Sequence, residues 1–145
     1  MKGFFLLAVS DVLLLSVSAF ADKGAIGIVK ERIDNFKASQ KALKQILAAL
    51  KLTDFEAFVF LVNQIKNWAE IIPTKIPSGS GGPPSEAALA IWTDFEEFKS
   101  AAKENFEAAR FREVATLDGD RKATAKAINQ LAGICKSCHQ NYRLN

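Results

Sequence analysis

The chemistry-bearing residues of this chain gather near its C-terminus, in the run Cys135-Lys136-Ser137-Cys138-His139. The pattern is C-x-x-C-H. Residues three apart on a helix share a face, so the two thiols can reach two vinyl groups on one edge of a porphyrin. The adjacent imidazole can then turn toward the iron as its proximal ligand. That is the attachment pattern of one haem c, with Cys135 and Cys138 as thioether donors and His139 as the metal ligand. Three other chemistries use part of the motif. A structural disulfide needs only the cysteines and leaves His139 unexplained. A thioredoxin-like redox pair expects a βαβ context. A zinc site wants four ligands, and two cysteines and one histidine need carboxylates to complete it.

The residue inventory bears on the other side of the iron. Met1 is the only methionine and His139 the only histidine. The two commonest partners across a c-type haem are therefore missing once an N-terminal leader is removed. A lysine or the new amino terminus would first have to be desolvated and deprotonated. Counting thus points to a five-coordinate iron with one face open or covered by apolar side chains.

Residues 1–21 read as such a leader. Lys2 gives a short positive start, Phe4–Val17 an apolar stretch, and Ala19-Phe20-Ala21 a small-residue cleavage pattern. The apolar stretch is shorter than the ~20 residues of a spanning helix, which favours a cleaved secretory signal over an anchor. Asp11 inside it is a charge that opposes insertion. Export suits haem c, which is assembled outside the cytoplasm, so the expected compartment is the periplasm. The expected working protein is Asp22–Asn145, a single domain with no further run long enough to cross a membrane. The net charge of +3 is mild, and lysines mix with acids throughout. No basic tract suggests nucleic acid.

The mature region shows apolar residues every three or four positions, the helical period. Ile26, Val29, Ile33, Phe36, Leu43, Leu47 and Leu50 make the stripe of a first helix, about 25–51. A second opens at Thr53, where Thr53 and Glu56 fit a capping box, and ends at Pro73, which lacks the N–H a helix needs. Its stripe is Phe55, Phe58, Val62, Ile65, Ala69 and Ile72. Residues 73–84, rich in Pro, Gly and Ser, form the long loop. Ser85 is expected to cap a third helix, with Glu86 favouring its dipole. Ala88, Ile91, Trp92, Phe95, Phe98, Ala102, Phe106 and Ala109 make that helix's apolar face. Asp118-Gly119-Asp120 punctuates, and a fourth helix runs from about Arg121 toward Leu144, with Ile128, Leu131, Cys135, Cys138 and Tyr142 on one face. Short connections between helices predict antiparallel neighbours, and so an all-α, antiparallel up-down-up-down four-helix bundle.

With these residues in view, the chain resembles the cytochrome c′ family over nearly all of its mature length. The C-K-S-C-H run followed by Gln140-Asn141-Tyr142-Arg143 is similar to the family's C-x-x-C-H-x-x-(Tyr or Phe)-Arg ending. Ile91-Trp92-Thr93-Asp94 with Phe98 resembles its third-helix start, and Pro77-Ser78-Gly79-Ser80 the loop before it. Arg32 with Phe36 resembles an Arg-x-x-x-(Leu, Met or Phe) signature on the first helix. The resemblance implies that Arg32 pairs with a haem propionate, that Phe36 covers the distal face, and that Arg143 lies near the proximal face. The family's low-spin branch has methionine where Phe36 stands, so the resemblance is to the high-spin, five-coordinate branch. Ile33 departs from the pattern, since a polar partner for the propionate often stands there. Trp68 and Trp92 read as core or haem packing rather than a redox relay.

Two functions follow. One is a gas-binding haem protein: the resemblance implies NO and CO as ligands, and the chain has no distal histidine to stabilise bound dioxygen. The other is an electron carrier with a redox partner that the sequence does not name. An enzyme is not expected, because a peroxidase needs a distal acid–base group. The resemblance also implies pairing of two copies through the first two helices.

Overall fold

The computed structural model describes residues 24–49, 55–117 and 120–144. Four long helices carry the fold: α1 (Gly27–Ala49), α2 (Phe55–Ile71), α4 (Phe95–Leu117) and α5 (Arg121–Tyr142). A 3-10 turn, Ile72–Lys75, extends α2, and a single helical turn, α3 (Ala90–Thr93), precedes α4. Contacts across one end of the bundle settle the directions. Arg32, near the start of α1, meets Lys75, just past the end of α2. Glu86, ahead of α4, meets Arg143 at the end of α5. Starts and ends therefore alternate at that end, and the bundle is antiparallel and up-down-up-down, as the periodicity predicts. The leader, the Thr53–Glu56 capping box, Leu50 and Asp118-Gly119 lie outside the described residues or side chains.

The core divides into two groups along the bundle axis. Ala42, Ile46, Phe58, Val62, Ile65, Ala108, Ala109, Ile128 and Leu131 fill one. Trp68, Ala69, Ile72, Ile76, Ile91, Phe98 and Ala102 fill the other, toward the long loop. Full burial of a side chain such as Ile128 or Leu131 stabilises by about 1.5–3 kcal/mol. Cys135 packs on the first group, while Phe36 and Tyr142 pack on the second. The candidate site thus sits where the two groups meet. α2 packs extensively on α4, and α1 on α2, but α1 and α5 meet over only a short stretch.

Three expectations change. On α1 the buried residues are Arg32, Ala42 and Ile46, whereas Ile26 is 81% exposed and Leu47 39%. The apolar residues of α1 spread over two faces, and packing on α2 selects the face that carries Arg32. Second, Ser85 does not cap a helix. Asp94, at φ −140° and ψ 73°, breaks the expected third helix after α3, and its Oδ1 accepts from Glu97 N at 3.2 Å to open α4. Third, Glu86 turns to Arg143 rather than to a helix dipole. At α5 the N-cap is Asp120, whose side chain accepts from the backbone N–H of Lys122 and Ala123.

Candidate functional site

α5 leads from buried Ile128 and Leu131 to Cys135 and Cys138, one and two turns further along the same face. Both cysteines are half-buried and free, so they do not form the disulfide that their sequence alone permits. Cys135 Sγ donates to Asn105 Oδ1 at 3.3 Å. Burial raises its pKa, against a smaller opposing effect of a backbone hydrogen bond. The Cys138 thiol is pushed up to about 11 by burial first, then by Cys135 and Glu104. Both stay protonated near neutral pH. An open cleft of about 540 Å³ between α4 and α5 runs beside Cys138, lined also by Ala101, Ile134 and Tyr142. Among the described residues, no group of three or more His, Cys, Asp or Glu side chains gathers as a metal cluster.

His139 follows at the edge of this face. The residue is exposed as a whole, but its ring turns toward α1, where Phe36 lies 5.9 Å away, edge to face. Burial lowers the imidazole pKa from its ordinary value, and the positive charge of Arg143 adds to this while Glu86 opposes it. The imidazole is thereby held neutral, the form that binds a metal. Phe36 also meets Trp68 on α2, with ring centroids 5.2 Å apart at 89°. His139, Phe36 and Trp68 make a continuous aromatic chain from α5 through α1 to α2.

Two orphaned polar atoms lie in the buried interior. Trp68 Nε1 and Ser39 Oγ are enclosed and have no hydrogen-bond partner among the described residues. A hydroxyl can rotate, but an indole N–H points one way. Burying such a donor unpaired costs about 1–3 kcal/mol. The other indole, Trp92, donates to Pro77 O at 3.2 Å.

Arg32 is 3% exposed and braces the long loop. Its Nη1 donates to Lys75 O and Ser80 Oγ at 3.2 and 3.0 Å. Its Nη2 donates to Ser80 O and Ser85 Oγ at 2.8 and 2.6 Å. Each terminal nitrogen carries two N–H groups, so all four are spent and only Nε–H remains for any other acceptor. The neighbouring Glu31 pairs with Lys75 at 2.7 Å, so one turn of α1 holds the loop at two points.

Arg143 does not continue α5. It is the C-cap, extended at φ −118° and ψ 138°, with its backbone N–H on His139 O. It forms an antiparallel bridge with Ala87, flanked by Ala88 N to Tyr142 O at 3.0 Å and Leu144 N to Glu86 O at 2.7 Å. Arg143 thus lies beyond the last turn of α5, not within it. Its four-residue spacing holds, but the helix ends first, and the chain after it straps onto the segment 86–88.

Two contributions are new beside the sequence expectations: Asn105 as the acceptor for Cys135, and Glu86 as the partner of Arg143. Asn105 had a signal: it is a polar residue between Ala102 and Ala109 on the apolar face of α4, and buried. Glu86 had none, because its partner lies 57 residues away.

A family model described as Cytochrome C' matches residues 27–143. A cytochrome c′ from Rhodospirillum rubrum is 39% identical over 75 residues, which is 51% of this chain and 51% of that protein, so the match spans about half the length of that relative. A cytochrome c-556 from Agrobacterium tumefaciens (strain II Chrys) is 38% identical over 107 residues, covering 73% of this chain and 85% of that one. In structure, a nitric oxide complex of a variant cytochrome c prime from Alcaligenes xylosoxidans superposes with a TM-score of 0.73 at 21% identity, covering 81% of this chain and 94% of the other. At that identity the likeness speaks for the fold. Together with the match running from the first turn of α1 to the residue that caps α5, these likenesses mean that the chain belongs to the cytochrome c′ family, whose members bind covalently attached haem c.

Proposed function

We propose that Cys135 and Cys138 hold the haem by thioether bonds, that His139 is its only axial ligand, and that the protein binds NO and CO at the other face beneath Phe36. The residues suit the group. Two half-buried thiols share one face of α5, a neutral imidazole adjoins them, and an orphaned buried donor lies nearby in Trp68. Haem supplies a redox-active iron with a free coordination position. The observation that carries the reading is the placement of Phe36 on α1 against the His139 ring. The two rings are in contact, so a haem held by His139 would have Phe36 as its nearest α1 side chain.

The chain's own groups then define the pocket. Phe36 and Trp68 exclude water and offer no charge to an incoming molecule, which favours small neutral diatomics. His139 is held neutral and the residue as a whole is exposed, a position that also permits electron exchange with a partner protein at the surface. Arg32 holds the loop over the same end of the bundle. The leader reading assigns the mature protein to the periplasm. Among the described residues no helix is long and apolar enough to cross a membrane. The α1–α2 surface leaves Phe60 72% exposed, beside a mixed groove lined by Ala38, Ala57 and Leu61 together with Lys41, Gln45 and Gln64, a surface on which two copies would pair.

The test is the ferrous absorption spectrum of the mature holoprotein, recorded before and after addition of NO and of CO. The account expects a high-spin spectrum that both gases convert to ligated forms. A sharp low-spin spectrum that neither gas changes would leave the electron-carrier role alone.

A further inference from the structure

The aromatic chain ends on a donor without an acceptor. Trp68 is 5% exposed, and its indole N–H is enclosed with no partner among the described residues. Buried tryptophans ordinarily bond this N–H, and Trp92 does so with Pro77 O. Trp68 stands one ring away from Phe36, which itself touches His139. A group seated against His139 is one ring away from this unpaired donor.

Haem carries two carboxylates, its propionates. The four terminal N–H groups of Arg32 bond Lys75, Ser80 and Ser85, which leaves it one donor, Nε–H, for any other acceptor. Releasing any of them would orphan a loop acceptor in the buried brace. We propose that Trp68 Nε1–H donates a hydrogen bond to a haem propionate. This rests on the haem site proposed above. Trp68 is then a positioning residue. Its N–H fixes the tilt of the macrocycle from the α2 side, while the thioethers hold the opposite edge at α5. A charge-assisted bond from a neutral donor to a buried carboxylate is also stronger than a neutral one, and it stabilises the ionised propionate.

The chain has only two tryptophans, so W92F holoprotein reports Trp68 alone without altering it. Ultraviolet resonance Raman of that protein is expected to place the indole N–H-sensitive band at its hydrogen-bonded position. The band should move toward the free position as acid protonates the propionate. A band at the free position throughout, as for an N–H resting on the Phe36 ring, overturns the proposal. In W68F holoprotein the reduction potential should fall and the propionate should take up its proton at higher pH, while W92F leaves both unchanged. Equal potentials and equal titration in W68F and the parent overturn it too. Purified protein without covalent haem would overturn the site assignment as well, and that failure is visible in the absorption spectrum before any tryptophan is measured.

Discussion

Arg143 closes on Glu86, its Nε donating to Glu86 Oε2 at 2.6 Å across the end of the bundle. Around this pair the C-terminus and the segment before α3 form a short two-stranded strap. Arg143 N–H also bonds His139 O, so the strap anchors the turn that carries the proposed iron ligand. Both side chains of the pair are about half exposed, and such pairs contribute only about 0–1 kcal/mol. Its importance lies in geometry.

Arg143→Ala and Glu86→Gln are accordingly expected to lower stability by less than about 1 kcal/mol each. Both should change the NO dissociation rate of the holoprotein by a similar factor, and the double variant should add little. Urea denaturation and stopped-flow kinetics measure the two effects. A rate changed by Arg143→Ala but untouched by Glu86→Gln would show that the arginine acts by itself and not through the strap.

Arg32→Ala should be far more damaging. It strands the Lys75 and Ser80 carbonyls and two serine hydroxyls, Ser80 and Ser85, in the brace. A loss of about 3 kcal/mol or more is expected. Arg32→Lys keeps the charge but not the planar fork, and should recover only part of this. Denaturant midpoints of the two variants decide it, and a cost below about 1 kcal/mol for Arg32→Ala would contradict the brace.

Much of this arrangement was legible in the sequence. The buried face of α2, from Phe58 through Val62, Ile65 and Ala69 to Ile72, follows its apolar period closely. Pro73 ends that α-helix as expected, and Cys135, Cys138 and Tyr142 share the α5 face. What sequence did not give away depends on distant partners. The rotation of α1 turns on Arg32 finding acceptors 43–53 residues later. Its own apolar residues, Ile26 and Leu47 among them, argued for a different face. The break at Asp94 and the strap at Arg143 are likewise products of packing and pairing, not of local propensity.

The thiols offer a pH test in protein isolated without haem. Folding raises the Cys138 pKa from the ordinary thiol value of 9.0 to about 11. The protonated thiol is the favoured form in the fold, so the stability this contributes is present below pH 9 and is lost as pH rises through about 11. The thiolate fraction at pH 8 should be about 100-fold below that of an unstructured peptide thiol, and alkylation slower in proportion. Iodoacetamide rates against pH measure this. Peptide-like rates at pH 8 in a demonstrably helical protein would contradict the burial of Cys138.

Phe36 separates the distal-pocket reading from simple packing. Phe36→Ala should speed CO association and cost about 3 kcal/mol through the cavity it leaves. Phe36→Met should shift the ferrous spectrum toward low spin by offering a thioether to the iron. If both variants lose stability yet keep the parent's spectrum and CO rate, Phe36 is only core and the pocket lies elsewhere.

The central claim is that Cys135 and Cys138 carry the haem. Its most direct test is the mass of the C-terminal proteolytic peptide containing both cysteines and His139, taken under denaturing acid conditions from purified mature protein. This peptide is expected to bear one haem, with the colour remaining on it, and to carry no adduct in a Cys135→Ser/Cys138→Ser variant. A peptide with two free thiols, and colour that passes wholly into the organic phase, would contradict it.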